Sequence, residues 1–417
     1  MRAPLYSENP GEILSESAIT DPQRLYTRLR CDMPLARIYD SGVHTVATWS
    51  LIEEVLAREE DFSANLTGVL YKAADGNPDC FDLPSTDATT VIATADEPDH
   101  TVHRAILQPR FLAAKIKSME PVLKTWAAEA LAPLIEAGRG EFVPAAENVP
   151  ARAVAQLLGL PESDLALHRR WAMMGGDMLA GEVTDDGLTF LATETARMAD
   201  YLGMHLDRSM AEPSAEDRVS DSDPVMDILA RSVIDGDIRR EQALGIAIVL
   251  FGAGGESTAA LIGSALHTLA RKPEVAAQLL AKPELTPLFI EEVIRLEPPF
   301  KFHYRAVRRS CELDGYELHP GDRLMLLWAS ANRDPARFDD PDTLRLDRKQ
   351  TRQHLGFGRG SHFCIGAGLA RLEARVMIEA LLESGFVPQC IPNTPPRYAR
   401  SIFVRRFESL PLAIKPS

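Results

Sequence analysis

The segment that most narrows what this chain can fold into is a ten-residue run, F-G-R-G-S-H-F-C-I-G, at residues 357–366. Glycine at three of these positions permits a tight backbone path and close approach to a flat ligand. Cys364 stands where the run meets a predicted amphipathic helix, and a helix N-terminus with its free amide groups favours a thiolate. Two other interpretations are a buried neutral cysteine before a helix and a phosphate loop. The phosphate loop fails because no Gly-Lys-Ser/Thr follows and the glycine spacing is not G-x-G-x-x-G.

Helical periodicity dominates the rest of the chain. It predicts helices at 50–58, 101–117, 122–137, 189–210, 241–269, 286–296 and 366–384, and strands at 43–48, 311–313, 323–328 and 401–414. The strand at 323–328 follows a Pro-Gly-Asp turn, which is typical of a hairpin arm. The polar stretch 211–224 contains two prolines and predicts a surface loop between two mainly helical halves. The predicted fold class is mainly α with small β-sheets.

Composition excludes several classes of protein. Acidic residues outnumber basic ones 60 to 45, and the net charge of −15 argues against a general nucleic-acid binder or a protein held on anionic lipid. The five cysteines are widely spaced and include no C-x-x-C pair, which fits a reducing compartment rather than a disulfide framework. The start of the chain lacks a basic region followed by an apolar stretch, and no run of about 20 apolar residues occurs. The sequence therefore predicts a cytoplasmic protein without a signal peptide or membrane anchor.

The run at 357–366 is similar to the haem-binding signature of the cytochrome P450 family, F-G-x-G-x-H-x-C-x-G, at every fixed position. The resemblance implies that Cys364 is the axial thiolate of haem b (iron protoporphyrin IX), with Phe357, His362 and Gly366 also in contact with the cofactor. A thiolate ligand pushes electron density toward the iron and favours O–O cleavage. The resemblance also implies the P450 fold, a long central helix over a buried haem, in one domain spanning 1–417 without a fused reductase.

A second set of residues resembles the buried Glu-Arg-Arg network of the same family. Glu292 and Arg295 form E-x-x-R within a predicted helix, where positions i and i+3 share a face. Arg348 lies in L-R-L-D-R upstream of the cysteine. The resemblance implies that these three side chains support the cysteine segment, so their predicted role is structural.

Four basic side chains resemble the family's haem-propionate ligands. His100 and Arg104 belong to H-T-x-x-R at the start of a predicted helix, and a guanidinium matches a carboxylate in bidentate fashion. Arg305 occupies the third such position and His362 the fourth. For each one taken alone, a surface cation is the alternative interpretation, and His103 is predicted to be a neighbour rather than a ligand.

The apolar stretch 248–260 contains three glycines and a Glu-Ser-Thr run, which are locally unfavourable in a helix and often mark function. Glycines also let helices pack closely, and that alternative stays open. The stretch resembles the family's A-G-x-(Asp/Glu)-Thr, which implies that Ala253 and Gly254 form the groove over the haem and Glu256 is the acid. Ser257 replaces the usual threonine. Its hydroxyl can still relay protons, and Thr258 is the alternative source of that hydroxyl.

By position in the family, substrate contacts are expected from Val249, Phe302, Phe403 and the stretch 66–88. The stretch 300–304 is aromatic and carries a lysine, which suggests a substrate with an aromatic or anionic group.

The implied activity is that of a haem-thiolate monooxygenase, which inserts one oxygen atom from O₂ into a small organic substrate. Electrons are expected from a separate ferredoxin with an NAD(P)H-dependent reductase. A docking patch for the ferredoxin on the cysteine side is expected to use Arg110, Lys115, Lys117, Arg359 and Arg371. For each of these residues taken alone, solvated surface charge is the alternative interpretation.

Two alternatives remain at this point. Serine at 257 leaves open a P450-type desaturase, ring-coupling enzyme or peroxide-driven oxidase. A non-catalytic haem-binding sensor is the second alternative, and the acid at Glu256 beside the small-residue groove argues against it.

Overall fold

Helices form most of the protein in its computed structural model, which describes residues 2–5, 7, 9, 11–182, 184–211 and 223–417. The α-helices are α1 (Glu16–Thr20), α2 (Gln23–Asp32), α3 (Trp49–Ala57), α4 (Asp99–Leu107), α5 (Ala113–Ser118), α6 (Glu120–Ala137), α7 (Val143–Leu158), α8 (Leu165–Ala172), α9 (Asp185–Ala211), α10 (Val225–Ile234), α11 (Arg240–Arg271), α12 (Pro273–Ala281), α13 (Thr286–Leu296), α14 (Trp328–Ala331) and α15 (Ala367–Glu383). Most of the predicted polar loop, 212–222, lies outside the described residues.

The strands are short. They are β1 (Leu35–Ile38), β2 (Val43–Val46), β3 (Phe62–Ser63), β4 (Gly68–Lys72), β5 (Pro78–Asp82), β6 (Arg139–Glu141), β7 (His303–Val307), β8 (Cys311–Leu313), β9 (Tyr316–Leu318), β10 (Arg323–Leu326), β11 (Phe386–Cys390), β12 (Arg397–Tyr398), β13 (Phe407–Ser409) and β14 (Pro411–Pro416). The largest sheet has the order β1-β2-β10-β7-β3. In it β10 runs parallel to β2 and antiparallel to β7. The mainly α class with small sheets is confirmed.

Most predicted helices are confirmed, and one is divided. The helix predicted at 286–296 is α13 to the residue, while α3, α6, α9, α11 and α15 match their predicted ranges within four residues at each end. The helix predicted at 101–117 splits into α4, a 3₁₀ turn at Gln108–Phe111 and α5. Pro109 explains the division, because proline has no N–H to continue an α-helical ladder. Among the described helices, periodicity missed α1, α2, α7, α8, α10, α12 and α14. The longest of these, α7, has ten buried residues and therefore no clear polar face.

The long strand predicted at 401–414 is wrong. Only β13 and β14 form within it, and the segment before them turns. The hydroxyl of Ser401 accepts hydrogen bonds from the backbone N–H groups of Phe403 (3.1 Å) and Val404 (3.0 Å). A serine side chain that takes these donors offers the backbone an alternative to a strand ladder. The strand predicted at 323–328 also ends early, as β10, because α14 begins at Trp328.

The core is organised around α11, which packs against α7, α8, α9, α13 and α15. By length and composition α11 could cross a membrane, but 67% of its most apolar window is buried inside the protein, as in a core helix. A Cβ on Gly255 would lie 2.4 Å from the Cβ of Ala172, and one on Gly252 would lie 3.2 Å from the Cα of Gly175. These two glycines therefore serve close packing of α11 against the end of α8.

Candidate active site

A large cavity separates the middle of α11 from the 357–366 segment. It holds about 1510 Å³ of atom-free space, counting its open mouth. Of the predicted site residues, those on its wall are Val249, Ala253, Gly254, Ser257 and Thr258 from α11, Phe357, Cys364 and Gly366 from the cysteine segment, and the four basic residues His100, Arg104, Arg305 and His362.

The Cys364 side chain is exposed to this cavity. Its backbone N–H donates to the carbonyl oxygen of Phe357 at 2.9 Å, which closes the loop, and Gly358 takes a φ of 68° within it. Burial raises the pKa of the Cys364 thiol, while hydrogen bonds from the backbone N–H groups of Gly366 and Ala367 oppose that rise. One thiol beneath a broad cavity, with amide donors aimed at its sulfur, fits the single axial bond of a haem iron.

The structure brings Glu292, Arg295 and Arg348 together. The Oε1 atom of Glu292 accepts hydrogen bonds from Nε of Arg295 (2.7 Å) and Nε of Arg348 (3.1 Å). Glu292 and Arg295 are fully buried, and Arg295 also donates to three backbone carbonyls within 332–343. The amide oxygen of Asn332 then accepts from the N–H of Leu355 at 2.6 Å. These bonds connect α13 to the segment that leads into the cysteine loop.

The four basic side chains converge on the cavity from separate elements. The rings of His100 and His362 stack with centroids 4.0 Å apart, and Arg104 donates to the carbonyl oxygen of Phe363 at 2.9 Å. Burial lowers the pKa of Arg305 to about 10. Within the described part of the chain, Nδ1 of His362 is buried without a hydrogen-bond partner. Two guanidinium groups and an unsatisfied ring nitrogen fit the two carboxylates of a haem.

Ser257 faces the cavity, and its hydroxyl donates to the carbonyl oxygen of Ala253 at 2.6 Å. This bond returns one turn along α11, an arrangement that often bends a helix. Thr258 is also on the wall but is only 3% exposed. Gly254 lies between the cavity and Val154 of α7, where an added Cβ would come within 2.7 Å of Cγ2 of Val154. The small-residue groove and the two candidate hydroxyls therefore share one stretch of α11.

Glu256 is not on the cavity wall, contrary to the simplest expectation for an acid in the groove. Its carboxylate is fully buried on another face of α11, where it accepts hydrogen bonds from the N–H of Gly176 (2.7 Å) and Nε of Arg406 (2.8 Å). The helical rotation of about 100° per residue separates its side chain from that of Ser257. Burial raises the pKa of Glu256 to about 7, with Arg406 lowering it and Asp177 raising it.

Two predicted substrate residues lie elsewhere. Phe302 and Phe403 are 0% and 4% exposed and pack against each other in the core, with ring centroids 5.4 Å apart. Side chains alternate along an extended strand, so His303 and Arg305 face the cavity while Phe302 faces away. Phe300, which stacks on Phe403 at 4.5 Å, holds the wall position instead. The expectation that Phe302 and Phe403 contact substrate is therefore wrong.

A histidine and a carboxyl on the wall carry chemistry that sequence reasoning did not assign. Trp328 Nε1 donates to Nδ1 of His303 at 2.6 Å, and burial lowers the pKa of His303 to about 3. The ring is therefore neutral with its proton on Nε2.

Glu373 on α15 is 2% exposed, and its Oε2 atom has no hydrogen-bond partner among the described residues. Burial raises the pKa of Glu373 well above its ordinary value. The sequence feature that could have indicated Glu373 is an acidic residue on the apolar face of α15.

Comparison with known proteins places the chain in a family. A family model for Cytochrome P450 matches residues 215–399. The chain is 38% identical over 411 residues to Cytochrome P450 144 of Mycobacterium tuberculosis, covering 98% of this chain and 92% of that protein. It is 30% identical over 386 residues to Cytochrome P450 monooxygenase PikC of Streptomyces venezuelae, covering 89% and 85%. The crystal structure of CYP109E1 from Bacillus megaterium in complex with testosterone matches with a TM-score of 0.81 at 25% identity, covering 96% and 99%.

The fold and these relationships define an oxidoreductase of the haem-thiolate class. The chain belongs to the cytochrome P450 family and is a P450 monooxygenase. Membership implies a haem-thiolate iron cofactor, a small-molecule substrate, O₂ and a redox partner. The non-catalytic sensor is thereby set aside.

Proposed function

We propose that this P450 inserts one oxygen atom from O₂ into a small organic substrate, using haem b bound through Cys364. The observation that carries this proposal is the single cavity onto which the Cys364 thiol and the Ser257 hydroxyl both open. When bound, a thiolate-ligated haem activates O₂ and transfers an oxygen atom to substrate. We propose that the protein acts in the cytoplasm and takes electrons from a separate ferredoxin with its NAD(P)H-dependent reductase.

The proposed work of the protein begins with holding the cofactor. Cys364 would supply the sulfur ligand of the haem iron, and His100, Arg104, Arg305 and His362 would bind its propionates. The buried network at Glu292 holds the stretch that leads into the cysteine segment, since Arg295 donates to the carbonyl oxygen of Asn332 and Arg348 to that of Asp339. The apolar wall of α11 excludes bulk water and positions the substrate near the groove at Ala253.

Proton delivery in this proposal is shared by two neighbouring residues of α11. Glu256, whose pKa of about 7 keeps it partly protonated near neutral pH, is the proton reservoir. Its carboxyl leaves Gly176 and Arg406 and turns toward the groove. Ser257 presents the hydroxyl that relays the proton. Thr258, buried on the same wall, is the alternative hydroxyl.

The proposed substrate pocket lies above the groove and uses Val249, Phe300 and His303, all of which line the cavity. The Nε2–H of His303 offers a hydrogen-bond donor beside the aliphatic Val249 and the aromatic Phe300. This composition suits an apolar substrate carrying an oxygen acceptor. CYP109E1, one of the similar structures, is in complex with testosterone.

The proposed ferredoxin docking surface surrounds α5, which packs against α15 just after Cys364. Lys117 is exposed there, and Arg359 is half exposed and paired with Glu53. Arg371 is less suited to docking because its guanidinium pairs with Glu291 at 2.6 Å and covers the ring of Phe357 at 4.4 Å.

The spectrum of the reduced, carbon monoxide-bound protein tests the proposal. We expect the red-shifted Soret band of thiolate ligation in the haem-loaded wild type and its loss in Cys364→Ser. A wild type that binds haem without that band would contradict ligation by Cys364. Product formation with NADPH, ferredoxin and reductase, compared with hydrogen peroxide alone, separates the monooxygenase from a peroxide-driven oxidase. Product analysis distinguishes hydroxylation from desaturation or ring coupling.

A further inference from the structure

A second large cleft lies away from the haem cavity and shares no lining residue with it. It holds about 1650 Å³ of atom-free space, counting its open side. The first turn of α2, the last turn of α11, the end of α13 and the segment before β13 meet there.

The cleft concentrates positive charge in a protein whose net charge is −15. Its cationic residues are Arg24, Arg271, Lys301, Arg333 and Arg405, against the carboxylates of Asp21, Glu297 and Asp342. Two of these three carboxylates are already held in ion pairs. Glu297 pairs with Arg405 at 2.8 Å and with Arg333 at 3.5 Å, and Asp342 pairs with Arg333 at 2.9 Å.

Lys301 lies within the wall of the cleft and is only 2% exposed. Its Nζ donates to the carbonyl oxygens of Ser401 (2.7 Å) and Ile19 (3.3 Å). Burial lowers the pKa of Lys301 well below its ordinary value. A buried ammonium held only by neutral carbonyls is costly, and a nearby anion would offset that cost.

The rim of the cleft carries two further cations. Arg24 and Arg271 are exposed. Among the described residues, Glu297 and Asp342 form their ion pairs with Arg333 and Arg405 and not with these two arginines. Arg24 lies in the first turn of α2, whose first N–H, that of Gln23, already donates to the carboxylate of Asp21 at 3.3 Å. The free positive charge of the rim therefore comes from the two arginines.

We propose that this cleft binds a multivalent oxyanion, such as a phosphate group or a polycarboxylate, between the rim arginines Arg24 and Arg271 and the buried lysine Lys301. The site is separate from the P450 reaction. Arg333 and Arg405 hold its inner wall through Glu297, and the rim arginines supply the charge that the ligand neutralises. An anion bound nearby favours the charged form of the buried Lys301.

Titration of the haem-loaded protein with inorganic phosphate, and separately with citrate, tests this site. We expect saturable heat in calorimetry and a saturable rise in melting temperature, beyond chloride at equal ionic strength. The phosphate and citrate arms tell a phosphate ligand from a polycarboxylate. The double variant R24Q/R271Q should weaken binding roughly fivefold or more, as the loss of two exposed ion pairs implies.

The matched control R139Q/K415Q removes two exposed charges elsewhere and should leave the affinity unchanged. Lys301→Met should abolish saturation, and if it does not fold, the rim variant decides. The absence of saturable binding of either anion, or equal affinity in R24Q/R271Q and the control, would overturn the proposal. An unchanged carbon monoxide spectrum in R24Q/R271Q separates this site from the haem site.

Discussion

The carboxylate of Glu256 accepts a hydrogen bond from Nε of Arg406 at 2.8 Å, although 150 residues separate the two in the chain. The bond ties the middle of α11 to the segment just before β13. It also draws Glu256 away from the cavity onto which Ser257, its neighbour in sequence, opens. The two neighbouring side chains therefore leave α11 on different faces, with the Glu256 carboxylate held by Arg406 and the Ser257 hydroxyl open to the cavity.

Glu256→Gln keeps the shape of the carboxyl group but cannot release a proton. If Glu256 supplies protons through Ser257, turnover with ferredoxin should fall by roughly 100-fold, the scale of a lost general acid. The carbon monoxide spectrum should stay unchanged, because Cys364 is untouched. Glu274→Gln, at an exposed position on α12, is the control. Wild-type turnover in Glu256→Gln would exclude Glu256 as the reservoir.

Stability should depend on pH through the same carboxyl. The pKa of Glu256 rises from an ordinary 4.5 to about 7 in the folded protein, so between these values the folded state holds a proton that the unfolded state has released. The stabilisation from this proton is on the order of 3 kcal/mol in the free energy of unfolding. It is fully present below pH 4.5 and is lost as pH rises through 7. Denaturant unfolding at pH 5 and pH 8 should show this loss in the wild type and a smaller one in Glu256→Gln. Equal pH dependence in both proteins would contradict the assignment.

Removal of the Arg295 side chain should strongly lower the free energy of unfolding. Arg295→Leu leaves the Glu292 carboxylate buried without its closest partner and leaves backbone carbonyls within 332–343 without their donor. Breaking a buried ion pair costs about 3–5 kcal/mol in the free energy of unfolding. Arg345→Leu is the matched control, since its side chain is 36% exposed and pairs with exposed aspartates, and it should cost under about 1 kcal/mol. Similar melting temperatures for the two variants would refute a supporting role for the network.

Replacement of the buried Glu373 carboxyl by an apolar side chain should stabilise the protein. Its carboxyl is buried, and its Oε2 atom has no hydrogen-bond partner among the described residues, so an apolar side chain of similar size relieves the desolvation of a polar group. Glu373→Leu should raise the free energy of unfolding by roughly 1–2 kcal/mol. Lost stability in Glu373→Leu would show that the carboxyl has a partner when the haem is bound. The measurement is denaturant unfolding of the haem-loaded proteins.

The proposed ferredoxin surface predicts a charge effect on electron delivery. Lys117→Glu should slow reduction of the haem protein by a bacterial ferredoxin several-fold at low ionic strength, because a like charge opposes docking of an acidic partner. The difference should shrink as salt is added. Lys272→Glu, just after the last residue of α11, changes the same charge away from Cys364 and should have no effect. Stopped-flow reduction measures both, and equal slowing by the two variants would refute docking near α5.

Local patterns were enough to predict the longest helices other than α7 and the residues around Cys364. Apolar periodicity marks an amphipathic helix wherever one face is polar, which is why the predicted range of α13 is correct to the residue. The signal fails for α7, whose buried residues surround the helix, and for the segment after Ser401, where a side-chain hydrogen bond competes with strand pairing. Local patterns cannot report a partner that lies far away in the chain.

The sequence by itself determined the fold class, the cysteine segment and the residues that gather around one cavity. Only the tertiary structure decided which side of each element faces that cavity. Strand alternation turned Phe302 inward and His303 toward the cavity, and the distant Arg406 drew Glu256 away from Ser257. The physical reason is that residue type and spacing are local, while the direction of a side chain depends on packing and charge supplied by elements remote in sequence.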